Sequence, residues 1–234
     1  MTRKYLSFDI ETAKILPGFV DDLMAERPLG ISCAAALAED ELMPQLFHSV
    51  DGNGRPALQM SQADVSKLVD FLVKRTAAGY TIVTHNGLGF DFDILAEESG
   101  RLEDCKKLAL DHVDMMFHVF CVKGFGVGLD AAAQAMGLSK MEGVDGSQAP
   151  QLWKDGEHQR VLDYVGQDVN ITLKVARACD RNRAFRWVTK RGKFSDFAIR
   201  DGWLTVRDAL ELPLADTSWM DDPWPRLKFT GWLS

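Results

Sequence analysis

Five side chains of this 234-residue chain have the types and positions to act together in one reaction. Asp9 and Glu11 stand two apart in the stretch YLSFDIETAK. The alternation of Leu6, Phe8 and Ile10 marks a strand, and residues two apart in a strand share a face, roughly 7 Å from one another. Two neighbouring carboxylates therefore end an otherwise apolar strand. Asp91 lies in HNGLGFDFDIL, just after the apolar run YTIVTHN and at the first turn of an expected helix. Asp168 lies in VLDYVGQDVNITLKV, where Val161, Leu162, Val165, Val169 and Leu173 trace an apolar stripe. Tyr164, four residues earlier, stacks on the same helix face as Asp168. An aspartate beside such a stripe needs a partner, because a buried unpaired charge is costly. Converging carboxylates raise one another's pKa unless a cation intervenes. An all-oxygen set of this kind suits two hard divalent ions, Mg2+ or Mn2+. Two such ions about 3.5–4 Å apart clamp a phosphodiester, activating water on one side and stabilising the leaving oxygen on the other.

Each acid also has an ordinary reading. Strand ends meet solvent, and the helix macrodipole favours any acid in a first turn, so Asp93 competes with Asp91. His85 reads as a satisfied strand-end histidine. The glycines of KGFGVGLD lack a preceding strand and read as a turn, not as a phosphate loop.

The elements that must position these groups follow from periodicity. A strand over 4–10 leads into a loop with Pro17 and Pro28. Residues 30–38 and 42–50 read as two strands joined by the acidic turn EDE. Ser61 caps a helix of about 17 residues with Val65, Leu68, Val69, Leu72 and Val73 on one face. A buried strand over 80–86 is followed by a helix over 90–99 that Gly100 ends. VDMMFHVF reads as either a strand or a short helix. A helix over 129–138, a polar loop over 139–150 and a long helix over 157–181 complete the body. Strands in a meander followed by alternating units predict an α/β protein, a mixed sheet with helices on its faces.

In order along the chain, three motifs carry a resemblance. FDIET resembles the DxE motif of the DEDD 3′–5′ exonucleases. HNGLGFD, with Asn86, Phe90 and Asp91, resembles their second motif. YVGQD, from Tyr164 to Asp168, resembles the third motif in its tyrosine form, since the histidine form would need His where Asp163 stands. The chain is therefore similar to the DEDDy branch, which includes ribonuclease D and the proofreading domains of family A and B DNA polymerases. The stretch from Gly137 to Val169 also resembles stand-alone bacterial exonucleases related to the family B proofreading domain. The resemblance covers roughly residues 4 to 180.

It implies a ribonuclease H-like fold with a five-stranded mixed sheet, and a 3′–5′ exonuclease releasing nucleoside monophosphates from single-stranded DNA or RNA. By the same resemblance Asp9 bridges two metals, Glu11 and Asp168 complete the first, and Asp91 supports the second. Tyr164 orients the attacking water, Thr12 contacts the terminal nucleotide, Asn86 holds site or substrate, and Ile15 or Leu16 wedges beside the terminal base. Phe90 joins the nucleic-acid contacts, and Lys140 in GLSKMEG reads as either a phosphate contact or a solvated lysine. Rival expectations are an exoribonuclease of the ribonuclease D type and a non-catalytic binding or proofreading subunit beside a separate polymerase or repair chain. DNA or RNA preference and oligomeric state stay open.

Composition bounds the rest. The formal net charge is −7, which argues against a nonspecific polyanion binder. The charge is uneven, however. Residues 181–207 hold eight basic residues against two acids. Within them FRWVTKRGKFSDFAI reads as a hairpin turning at KRGK, and basic residues interleaved with aromatics, Lys190, Arg191 and Lys193 among them, suit a single-strand track. The expected division is an exonuclease domain over 1–181 and a C-terminal basic and aromatic extension over 182–234 packed on it. DDPWPRLKFTGWLS reads as an ordered tail across the body. The four cysteines form no CxxC pair and read as reduced thiols of a cytoplasmic protein. No signal peptide or membrane span is expected.

Overall fold

The computed structural model describes residues 3–16, 18, 20, 23–138 and 146–234. Along the chain come β1 (Lys4–Thr12), β2 (Ile31–Ala38), β3 (Gln45–Phe47), α1 (Gln62–Ala77), β4 (Tyr80–Thr84), α2 (Asp91–Ser99) and α3 (Leu102–Asp111). They are followed by β5 (Val113–Asp114), α4 (Met115–Lys123), α5 (Leu129–Gln134), α6 (Ala149–Lys154) and α7 (His158–Asn182). The C-terminal segment holds β6 (Ala184–Val188), β7 (Phe194–Ala198), α8 (Val206–Leu210) and α9 (Leu227–Thr230).

Five strands form one mixed sheet in the order β3-β2-β1-β4-β5, and β6 pairs with β7 in a separate hairpin. β1 runs antiparallel to β2 and parallel to β4. Alternation along β1 divides the core as the sequence implies. Leu6, Phe8 and Ile10 pack with Val65, Leu68, Val69 and Leu72 of α1 and Phe92 of α2. Tyr5, on the other face, packs with Cys33, Ala35 and Leu37 of β2 and with Val161, Val165 and Val169 of α7. Asp9 and Glu11 continue that second face, so the alternation aims both acids at α7. β2 is buried on both sides, and its alanines at 34, 35, 36 and 38 are fully buried. Small side chains in a strand covered on both faces let α7 lie close against the sheet.

VDMMFHVF resolves into both expected forms: a two-residue strand, Val113–Asp114, and then α4. The KRGK hairpin is present, with Val188 opposite Phe194 and Gly192 at φ 71°. The helix expected over 129–138 ends at Gln134, and the strand expected over 42–50 shortens to three residues. Gly124 closes α4 in the left-handed region, the turn role expected of KGFGVGLD. The four cysteines are free and buried. Among the described residues, no helix is long and apolar enough to cross a membrane.

His112, between α3 and β5, is buried where it joins sheet to helix. Its Nδ1 donates to Ala109 O at 2.6 Å and its Nε2 meets the Thr84 hydroxyl at 3.0 Å. Burial pulls its pKa down to about 3. The unfolded chain takes up a proton near 6.5 that the folded chain refuses. Stability from this group is therefore lost as pH falls below 6.5. Substituting His112→Gln removes the effect, so the stability gap between wild type and variant narrows by about 1.4 kcal/mol per pH unit between 6.5 and 4. Urea titrations at several pH values check this, and a gap constant with pH would refute it.

Candidate active site

β1 outruns its parallel neighbour. Pairing of β1 with β4 ends at Ser7 opposite Val83, and β4 itself ends at Thr84. Beyond that point the β4 side of β1 lacks a strand, and the Asp91 carboxylate takes its place, accepting the Ile10 N–H at 3.0 Å. Asp91 reaches this position because α2 begins there, with Phe90 as its N-cap residue. Asp91 is 2% exposed. Burial pushes its pKa up to about 7, against the pull of hydrogen bonds from backbone N–H groups and one shared with Asp9. On the β2 side the register shifts between Glu11 and Thr12, a bulge that bends the strand end beside the acids.

Asp9, Glu11 and Asp168 all line one cleft of about 660 Å³, together with Thr12, Leu16, Phe90 and Ser147. Glu11 and Asp168 are nearly buried, and Asp9 is partly exposed. Lys14, the cation on the wall of this cleft among the described residues, is engaged with Glu26, whose carboxylate lies 3.6 Å away and whose carbonyl it also meets. Tyr164 is buried, one turn before Asp168 on α7. Its hydroxyl lies against Gly146, a residue lining the cleft: a Cβ at 146 would stand 3.6 Å from it.

Among the described residues, no group of three or more His, Cys, Asp or Glu side chains is arranged to hold a metal ion as it stands. The donor chemistry nevertheless fits a hard cation. The donors on the cleft are carboxylate oxygens, and the fourth acid behind them is held toward its neutral form by burial. A divalent ion would relieve that crowding.

The loop between β4 and α2 is tied by a residue that the sequence reading missed. Asp114 of β5 is 1% exposed, and its carboxylate accepts the N–H groups of Asn86, Leu88 and Phe117 at 3.0, 2.9 and 3.0 Å. Burial raises its pKa, and these hydrogen bonds oppose the rise. Asn86 sits at φ 77°, strained for a side-chain-bearing residue. Gly87 is required beside it, since a Cβ there would come within 2.3 Å of the Thr84 hydroxyl oxygen.

A family model of the ribonuclease H superfamily matches residues 47–178, more than half of the chain. The chain belongs to the ribonuclease H superfamily. Its fold is accordingly ribonuclease H-like, and a solved structure agrees. The family B DNA polymerase from the hyperthermophilic archaeon Pyrobaculum calidifontis superposes over 76% of this chain with a TM-score of 0.55 at 20% identity. The superfamily chain spans only a quarter of that polymerase's length. No curated protein matches it.

On this ribonuclease H-like frame the expected residues divide. Asp9, Glu11, Thr12, Phe90 and Asp168 share the cleft, Asp91 lies directly behind, and Tyr164 stands at its edge. Of the two wedge candidates Leu16 lines the cleft, whereas Ile15 is exposed outside its lining. Asn86 lines a second cleft that also takes in Phe90. Asp93, the rival of Asp91, is taken up by an ion pair with Arg27. His85 meets Val127 O at 2.7 Å, the satisfied role expected of it. Lys190, Arg191 and Lys193 are exposed at the hairpin turn and line neither cleft. Lys140 lies outside the described residues.

Proposed function

We propose that the chain is a metal-dependent 3′–5′ exonuclease of the DEDDy type. It hydrolyses the last phosphodiester of single-stranded DNA or RNA and releases nucleoside monophosphates. The observation that supports this most is the convergence of Asp9 and Glu11, at the free end of β1, with Asp168 of α7 on one cleft, backed by Asp91 on the Ile10 N–H. Asp9, Glu11, Asp91 and Asp168 would hold two divalent ions, which when bound activate water and neutralise charge on the leaving oxygen.

The remaining work falls to the chain. Thr12, Leu16 and Phe90 enclose the terminal nucleotide in the cleft. α7, packed on β1 and β2, fixes Asp168 opposite Asp9 and excludes water from that side. Tyr164 offers its hydroxyl at the cleft edge to orient the attacking water. Phenols titrate near 10, so orientation and not strong basicity is its contribution. Substituting Tyr164→Phe therefore lowers kcat about tenfold, well below the 10²–10⁴-fold typical of a general base. A loss as large as that of Asp9→Ala would give Tyr164 a greater role than positioning.

The test of the reading uses matched 5′-labelled single-stranded DNA and RNA with Mg2+ or Mn2+. A descending ladder that vanishes in Asp9→Ala supports it, and the faster substrate names the preferred sugar. No ladder on either substrate in either metal rejects it.

A further inference from the structure

Beside the acid cleft lies a second cleft of about 790 Å³, in the size range of sites that hold a nucleotide. The two share Leu23 and Phe90 in their walls, so they adjoin one another. One wall of the second cleft is the loop after β4, with Asn86, Gly89 and Phe90. The opposite wall is the C-terminal tail, with Trp224, Lys228 and Trp232.

The tail is bolted to that loop. The Trp232 indole donates to Leu88 O at 2.7 Å, and Phe229 is buried against Phe117 and Phe120. Gly89 permits the approach: a Cβ there would sit 3.0 Å from the Phe229 ring. Arg226 holds the tail's other side by donating to Leu210 O and Leu212 O. Trp224 stays 44% exposed at the rim, with the Lys228 ammonium over one face of its ring, 4.3 Å from the centroid. Arg27, also on the wall, is committed to Asp93 and Glu97.

The geometry points to this tail-walled cleft as the seat of the nucleotides next to the 3′ end of the substrate strand, with Trp224 as a stacking platform and Lys228 as a phosphate contact. The inference rests on the exonuclease reading for the identity of the strand. For a strand with its last phosphodiester among Asp9, Glu11 and Asp168, the cleft that adjoins the acids at Phe90 and Leu23 offers the path onward. A half-exposed indole with an ammonium over its ring pairs a π-system for any base with a cation for the backbone, the combination that binds single strands irrespective of sequence. The track so placed lies on the C-terminal tail, and Lys190, Arg191 and Lys193 at the hairpin turn line neither cleft.

The test measures binding apart from cleavage. Fluorescence anisotropy of fluorescein-labelled oligo-dT of about 12 nucleotides, with the full chain in EDTA, gives Kd without turnover. Substituting Trp224→Ala is expected to weaken binding about tenfold, and Trp224→Phe to restore most of it. Lys228→Ala is expected to lower the salt dependence of Kd by about one phosphate contact. In Mn2+, hydrolysis of the p-nitrophenyl ester of thymidine 5′-monophosphate, which fills only the acid cleft, is expected to be equal in wild type and Trp224→Ala. An unchanged Kd in Trp224→Ala overturns the inference while leaving the exonuclease reading standing. Equal losses on oligonucleotide and ester also overturn it, because Trp224 would then support the fold alone. Strand binding through Trp224 without hydrolysis of any substrate sinks the exonuclease reading and leaves the strand cleft.

Discussion

Substituting Asp9→Ala is expected to reduce release of nucleotides from a 3′ end by at least about 10³-fold while leaving the protein folded. Asp9 is the acid that belongs to both halves of the site. It lines the cleft with Glu11 and Asp168, and it shares a hydrogen bond with Asp91 behind the strand. Stabilising charge at a reacting phosphate is worth several kcal/mol, and each 1.36 kcal/mol is tenfold in rate. The fold is expected to survive because Asp9 is partly exposed, and the strand around it is held by Leu6, Phe8 and Ile10 in the core and by pairing to Ala35 of β2. A Mn2+ titration followed by isothermal calorimetry separates the causes. Wild type is expected to take up the ion and Asp9→Ala to lose it, with unchanged far-UV circular dichroism. Full activity in the variant, or Mn2+ uptake undiminished by it, would remove Asp9 from the centre of the site.

Much of this geometry is legible in the sequence because it rests on short-range periodicity. A period of two along residues 5–11 sorts Asp9 and Glu11 from Phe8 and Ile10, and the structure places the two sets on opposite faces. The period near 3.6 over Val161, Val165 and Val169 likewise sets α7 against the sheet. Other parts carry no such signal. Arg101, the N-cap residue of α3, makes no side-chain capping hydrogen bond, so no start motif announces that helix. β5 is two residues long, too short to show any period, and it passes directly into α4. The meeting of the tail with the β4–α2 loop depends on Trp232 and Leu88, 144 residues apart, and on a glycine whose missing Cβ leaves room for Phe229. No local pattern specifies a contact of that kind.

Asp114 is the clearest case of a residue invisible to local reading, and its removal is expected to have the largest effect on stability. One carboxylate accepts N–H groups from Asn86, Leu88 and Phe117, so it joins the β4–α2 loop to the start of α4. All of this happens at 1% exposure, where water cannot replace the lost acceptor. Truncation by Asp114→Ala leaves three donors without it, and an unsatisfied buried donor costs about 1–3 kcal/mol. The expected loss is therefore about 3–5 kcal/mol, or roughly 6–20 °C in Tm for a chain of this size. Asp114→Asn tests the charge apart from the shape. An amide keeps one acceptor oxygen but turns an NH2 group toward backbone donors, so it recovers only part of the loss. Asn86 is held at positive φ by this same carboxylate, and Phe90, three residues further on from Gly87, leads into Asp91. Loosening the loop therefore displaces Asp91 from the Ile10 N–H as well, and catalysis falls further than stability alone would account for at temperatures where the variant is still folded. Thermal melts alongside the ladder assay at 20 °C distinguish the two contributions. An Asp114→Ala variant with wild-type Tm and wild-type ladder would show that the loop holds its shape without the carboxylate.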